Sequence, residues 1–152
     1  MLNIEQLLKA TSHDIIKGIA KYHLDLAHTK LESNENGPHI LVVAVISGGS
    51  QPQKCSIRIF DKSISVKSPC FVYCSCKMFI NTTEVALTAQ GSAKVINADP
   101  KLPNKTNPKL TPGLCPHLVV LVRASLLAEQ KKQEQIKQQK VATISPKLKK
   151  NR

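Results

Sequence analysis

Tryptophan is absent from these 152 residues, and only three Phe and two Tyr are present. A chain so poor in large rings has a thin core for its size, so any metal cross-link would contribute strongly to its stability. Acids are scarce as well. Ten Asp and Glu stand against 22 Lys and Arg, for a formal charge of +12, and residues 71–128 contain only Glu84 and Asp99. Paired-carboxylate chemistry has few candidates there. The six glycines form no phosphate-cradling loop, and no His-Glu-x-x-His helix is present. No apolar run reaches 18 residues and no secretory leader follows Met1-Leu2-Asn3, so the expectation is a chain made and folded in a reducing cytoplasm, without a membrane. Five cysteines cannot all pair with one another, which excludes a complete disulfide framework.

The cysteines that are present fall into a pattern. Cys74-Ser75-Cys76 closes one apolar run, and Cys115-Pro116-His117 opens the next. Three thiolates and one imidazole in two tight pairs are the donor set of a closed, tetrahedral, structural zinc site, whereas catalytic zinc keeps one position open for water. The 38 residues between the pairs form a loop that the metal would close. Geometry adds a condition. Residues two apart on a strand lie roughly 6.6 Å from each other, too far for two sulfurs bound to one zinc at about 2.3 Å, so the chain must bend at Ser75. Pro116 suits the first turn of a helix, which places His117 in that turn with its ring free to reach back. Without a metal, the same residues are three ordinary buried thiols and a helix-start histidine. Cys70 shares a strand face with Cys74 if the alternation holds, as a spare ligand or as a small core residue. Cys55 stands apart, and His13, His23, His28 and His39 follow no metal spacing.

Around this site the chain reads as α+β: a small antiparallel β-sheet followed by a zinc-stapled loop and a C-terminal helix. Asn3 before Ile4, Leu7 and Leu8 predicts a short capped helix. Ile15, Ile16 and Ile19 keep helical spacing, after which Tyr22, Leu24, Leu26 and His28 alternate as a strand. Residues 33–38 read as a loop. The run from Ile40 to Ile46 predicts a central strand buried on both faces. Segments 55–60 and 63–67 suggest a hairpin about Asp61-Lys62, and 71–76 a further strand, for four or five in all. Met78 to Leu87 suits a turn or short helix. Residues 97–113 hold four Pro, three Asn and three Lys without periodicity and read as an exposed loop. From His117 a helix should start buried and end in solvent.

Three parts follow: an N-terminal arm and short helix at 1–12, a zinc-binding α+β domain at 13–128, and a basic helix extension with a flexible tail at 129–152. The last part carries +6 of the net charge. Its end, with Lys147, Lys149, Lys150 and Arg152, is a candidate partner-binding tail for protein or for nucleic-acid phosphate. Cys115 beside His117 invites a thiol-nucleophile reading, but zinc ligation would consume both, so the expectation is a protein that is not an enzyme.

The order Cys-x-Cys then Cys-x-His resembles the SWIM-type zinc finger at all four ligand positions. The wider context, Val72-Tyr73-Cys74-Ser75-Cys76-Lys77-Met78-Phe79 followed by Asn107-Pro108, Pro112-Gly113 and Leu114-Cys115-Pro116-His117-Leu118, is similar to small zinc-motif structural proteins of tailed bacteriophages. The likeness covers roughly residues 55–127. It departs from that pattern at Pro116, where Lys is usual, at Lys77, where Pro is common, and in lacking the loop aromatics. The resemblance implies a virion component of head, neck, tail or baseplate, made in the host cytoplasm and assembled in multiple copies with other virion proteins. SWIM-type fingers elsewhere imply the alternative, a nucleic-acid-binding module.

Overall fold

The computed structural model describes residues 1–35, 37–94, 96 and 107–150, the last nine by their backbone alone. Helix α1, Ile4–Ala10, begins with a capping box: Asn3 Oδ1 accepts from the Gln6 amide and Gln6 Oε1 accepts from the Asn3 amide, so two otherwise orphaned donors are satisfied. It buries Ile4 and Leu7. Helix α2, His13–Lys17, runs into a 3-10 turn at Gly18–Lys21. Four strands then form a meander, β1 (His23–Asn34), β2 (Gly37–Ser47), β3 (Gln53–Ile59) and β4 (Cys70–Cys74), each antiparallel to the next. A π-turn at Phe79–Thr83 leads into α3, Glu84–Ala89. The last helix, α4, spans Pro116–Lys150.

The register puts one apolar face in line across three strands. Ile40, Val42 and Ala44 of β2 lie opposite Ile59, Ile57 and Cys55 of β3, which in turn oppose Cys70, Val72 and Cys74 of β4. All are buried, and Leu118, Val119, Leu121 and Val122 of α4 share the same core with Ile4 and Leu7. Apolar stripes of α1, α3 and α4 on one sheet face enclose it.

Four sequence expectations are corrected. β2 is buried along its core face, but on the opposite face only His39 and Leu41 are buried while Val43 is 40% exposed; an antiparallel sheet with helices on one side leaves part of its other face to solvent. Ser33 and Asn34 end β1 and Gly37 and Pro38 begin β2, with Asn34 paired to Gly37, so strand pairing reaches into the stretch read as a loop. Residues 63–67 form no strand. There Ser65 and Ser68 take up the local backbone donors and Ser68 Oγ donates to Asp61, so the polar side chains satisfy what a ladder would have. Finally, the backbone beyond Gln139 stays helical to Lys150; Lys140, Ala142, Leu148 and Lys149 are good helix formers there, while Val141, Thr143 and Pro146 are not. The expectation of an exposed loop at 97–106 lies outside the described residues.

Candidate metal centre

Strand β4 delivers the first ligand pair. It ends at Cys74, and the bend expected at Ser75 is fastened to β3 from both sides: the Ser75 amide donates to the Lys54 carbonyl (3.0 Å), Ser75 Oγ accepts from the Lys54 amide (3.0 Å) and donates to Gln53 Oε1 (2.7 Å). Cys76 therefore leaves the strand line and turns inward. Its sulfur accepts from the Phe79 amide at 3.3 Å, a bond that orients a metal-binding thiolate and lowers the cost of its charge.

The second pair comes from the entrance of α4. Asn107 braces the chain before it, with Nδ2 donating to the Thr82 and Thr111 carbonyls and Oδ1 accepting from the Thr111 amide. Thr11 Oγ1 accepts from the Leu114 amide at 2.9 Å and donates to the Leu7 carbonyl, which ties this segment to α1. Cys115 then caps the helix, its carbonyl accepting from the Val119 amide, and Pro116 occupies the first helical position as expected. His117 projects from that first turn. Its ring meets Tyr22 edge to face, with centroids 5.0 Å apart. Gly48 makes this approach possible. Its φ is +125°, and a Cβ there would lie 2.1 Å from the Lys21 carbonyl oxygen, so only glycine lets the β2–β3 connection press against Tyr22.

One ligand atom each from Cys74, Cys76, Cys115 and His117 lies within 4.8 Å of the others, and all four residues are buried. Zinc at about 2.3 Å from each sulfur would space the sulfurs by about 3.7 Å, so the cluster has the size of one coordination shell. Both ring nitrogens of His117 lack a hydrogen-bond partner despite being buried. A metal ion would satisfy one of them, and an imidazole held dry without a partner is otherwise costly. The donor set therefore fits a metal ion.

The electrostatics agree. Cys74 is held well below the usual thiol range by hydrogen bonds from Cys115 first, then Cys55 and Cys76. Cys115 is pushed well above that range by burial and by its neighbours' sulfurs. At Cys76 the Cys115 contact lowers the pKa, but the Cys74 contact and burial outweigh it and push the thiol up to about 11. A dication held there would favour all three sulfurs as thiolates.

Cys55 is the residue that sequence reasoning set apart, and the fold corrects it. It lies directly opposite Cys74 in the β3–β4 register, and its thiol donates to Cys74 Sγ at 3.4 Å. Its alternation with Ile57 and Ile59 was readable, but which residue of β4 it would face was not. Cys70 falls outside the cluster. Its thiol points to the Leu2 carbonyl at 3.8 Å, and burial pushes it up to about 12. Of the candidate tail, the side chains of Lys147, Lys149 and Lys150 and the whole of Arg152 lie outside the described residues.

Among the described residues, no helix is long and apolar enough to cross a membrane. Compared with family models, curated proteins and solved structures, the chain gives no match.

Proposed function

We propose that the protein is a non-enzymatic structural component, stapled by one zinc ion, that works by assembling with other protein subunits. The observation that carries this reading is the closed cluster joining the exit of β4 to the entrance of α4. Three thiolates and an imidazole select zinc over magnesium or calcium, whose ligands are oxygens. A cleft of about 410 Å³ reaches the site, with Cys76 and His117 in its lining beside Tyr22, Lys77 and Met78, while the His117 ring nitrogens themselves are buried. Four buried protein donors would fill a tetrahedral shell and leave no position for water, which favours a structural over a catalytic metal.

The finer reading rests on the resemblance of the ligand segments to zinc-motif proteins of tailed bacteriophages: a virion component of head, neck, tail or baseplate, present in multiple copies beside other virion proteins. A second reading has its own observation. Residues 130–140 of α4 are exposed all round and carry Lys131, Lys132, Lys137 and Lys140, a basic arm suited to nucleic-acid phosphate. Two measurements test these proposals. Elemental analysis of the purified chain should give one zinc per chain, lost with any single ligand substitution; a folded chain without metal overturns the staple. Co-sedimentation with intact particles supports the virion role, whereas retention on DNA that collapses as salt rises supports the nucleic-acid role.

A further inference from the structure

The open edge of β1 is the most extensive feature of the fold that the metal centre leaves unused. Eleven of its twelve residues are exposed, with Leu26 at 54% and Leu31 at 84%. From His23 to Ser33, its backbone makes no hydrogen bond to a described residue beyond the ladder to β2. An uncovered strand of this length, with neither proline nor a cluster of like charges along it, is a template for another strand.

We propose that β1 pairs antiparallel with β1 of a second copy of this chain, about a two-fold axis at Leu31, joining two four-stranded sheets into one. The register follows from symmetry and charge. In a two-fold antiparallel pair, opposed positions sum to a constant, and that constant is even because opposed side chains share a face. The bulge between Leu24 and Leu26 confines regular pairing to the stretch from Leu26 to Asn34. An axis at Lys30 or Glu32 would set like charges against themselves. At Thr29 it would oppose His28 to Lys30 and Leu26 to Glu32, and at His28 it would oppose Leu26 to Lys30. At Leu31 it opposes Lys30 to Glu32 of the second copy, twice, and Thr29 to Ser33, with Leu31 against its own counterpart.

Local structure supports that axis. Lys30 and Glu32 share the sheet face that carries Leu41 and His39 of β2, and the Glu32 carboxylate lies 3.4 Å from His39 Nε2. Leu31 lies on the face of Ile40, the core face, so the two leucines extend the apolar layer across the axis. Cross-strand pairs of opposite charge and of apolar side chains are the stabilising unit of such a sheet.

This inference stands apart from the metal reading, and zinc content measured on every sample keeps the two separable. Sedimentation equilibrium of the full chain at physiological salt should show a reversible dimer. Lys30→Glu should weaken it about tenfold, and Lys30→Glu with Glu32→Lys should restore it. Under mild oxidation Leu31→Cys should give a covalent dimer in high yield, while Leu26→Cys, far from its own counterpart in this register, should not. A wild-type chain that stays monomeric up to millimolar concentration, a dimer indifferent to Lys30→Glu, or preferential cross-linking through Leu26→Cys would each overturn the proposal.

Discussion

Strand β4 is five residues long and alternates buried with half-buried positions, whereas β1, at the opposite edge of the same sheet, is twelve residues long and exposed along nearly all of it. Both are outer strands, so position in the sheet does not explain the contrast. What differs is the chain around them. The outer backbone of β4 is satisfied: the Cys70 amide donates to the Leu2 carbonyl at 3.0 Å and the Val72 amide to the Ser92 carbonyl at 2.7 Å. Leu2 is held in turn by its amide donating to Ser92 Oγ at 2.7 Å. The N-terminal segment and the turn after α3 thus cover the edge, and the metal ligands sit where β4 ends. Nothing comparable lies over β1 among the described residues. Local stability should follow this gradient, with the core end opening only with global unfolding and the β1 edge exchanging its amides first.

The largest effect should come from breaking the dense end at its ligands. Cys74→Ser or His117→Ala should abolish zinc binding and cooperative thermal unfolding together, a loss of about 10 kcal/mol or more on the scale of small structural zinc sites. Metal analysis with calorimetry checks this, and a metal-free variant that melts cooperatively at the wild-type temperature refutes it.

Proton release is the next largest. Burial and the neighbouring sulfurs push Cys76 up to about 11 and Cys115 well above the usual thiol range, so both must give up protons to bind as thiolates. Zinc affinity should therefore fall as pH falls, by about tenfold or more per unit below pH 9. Competition with a chelator of known affinity measures the slope; a pH-independent affinity contradicts the assignment.

Packing substitutions then sharpen the comparison. Phe79→Ala, beside the first ligand pair and fully buried, should cost about 3–5 kcal/mol in denaturant unfolding. Cys55→Ala removes the thiol that donates to Cys74 and should cost about 1–2 kcal/mol, with weaker zinc retention. Leu26→Ala on β1 should stay within about 0.5 kcal/mol at concentrations where the chain is monomeric. Equal costs at Phe79 and Leu26 would dissolve the contrast between the two regions.

Much of this was legible before any coordinates. The four candidate ligands follow from donor chemistry and spacing alone, and so does the bend at Ser75, because two sulfurs cannot reach one ion from a straight strand. Asn3 and Pro116 marked helix starts, since capping and proline geometry are local. The extents of elements were less legible. Val43 belongs to an apolar run yet is exposed, because whether a second layer covers a sheet is not a property of the strand. Ser63 to Lys67 alternates like a strand yet folds into a serine-rich turn, because a hydroxyl bonds its own backbone as readily as a neighbour does.

The amino-acid sequence by itself determined the chemistry of the site and the α+β order of elements, both of which depend on residue type and on contacts a few positions apart. Only the tertiary structure decided that Cys55 joins Cys74, that the N-terminal segment seals β4, and that β1 is left open. Those outcomes depend on strand register and on which distant segment reaches an edge first, and neither is written in local spacing.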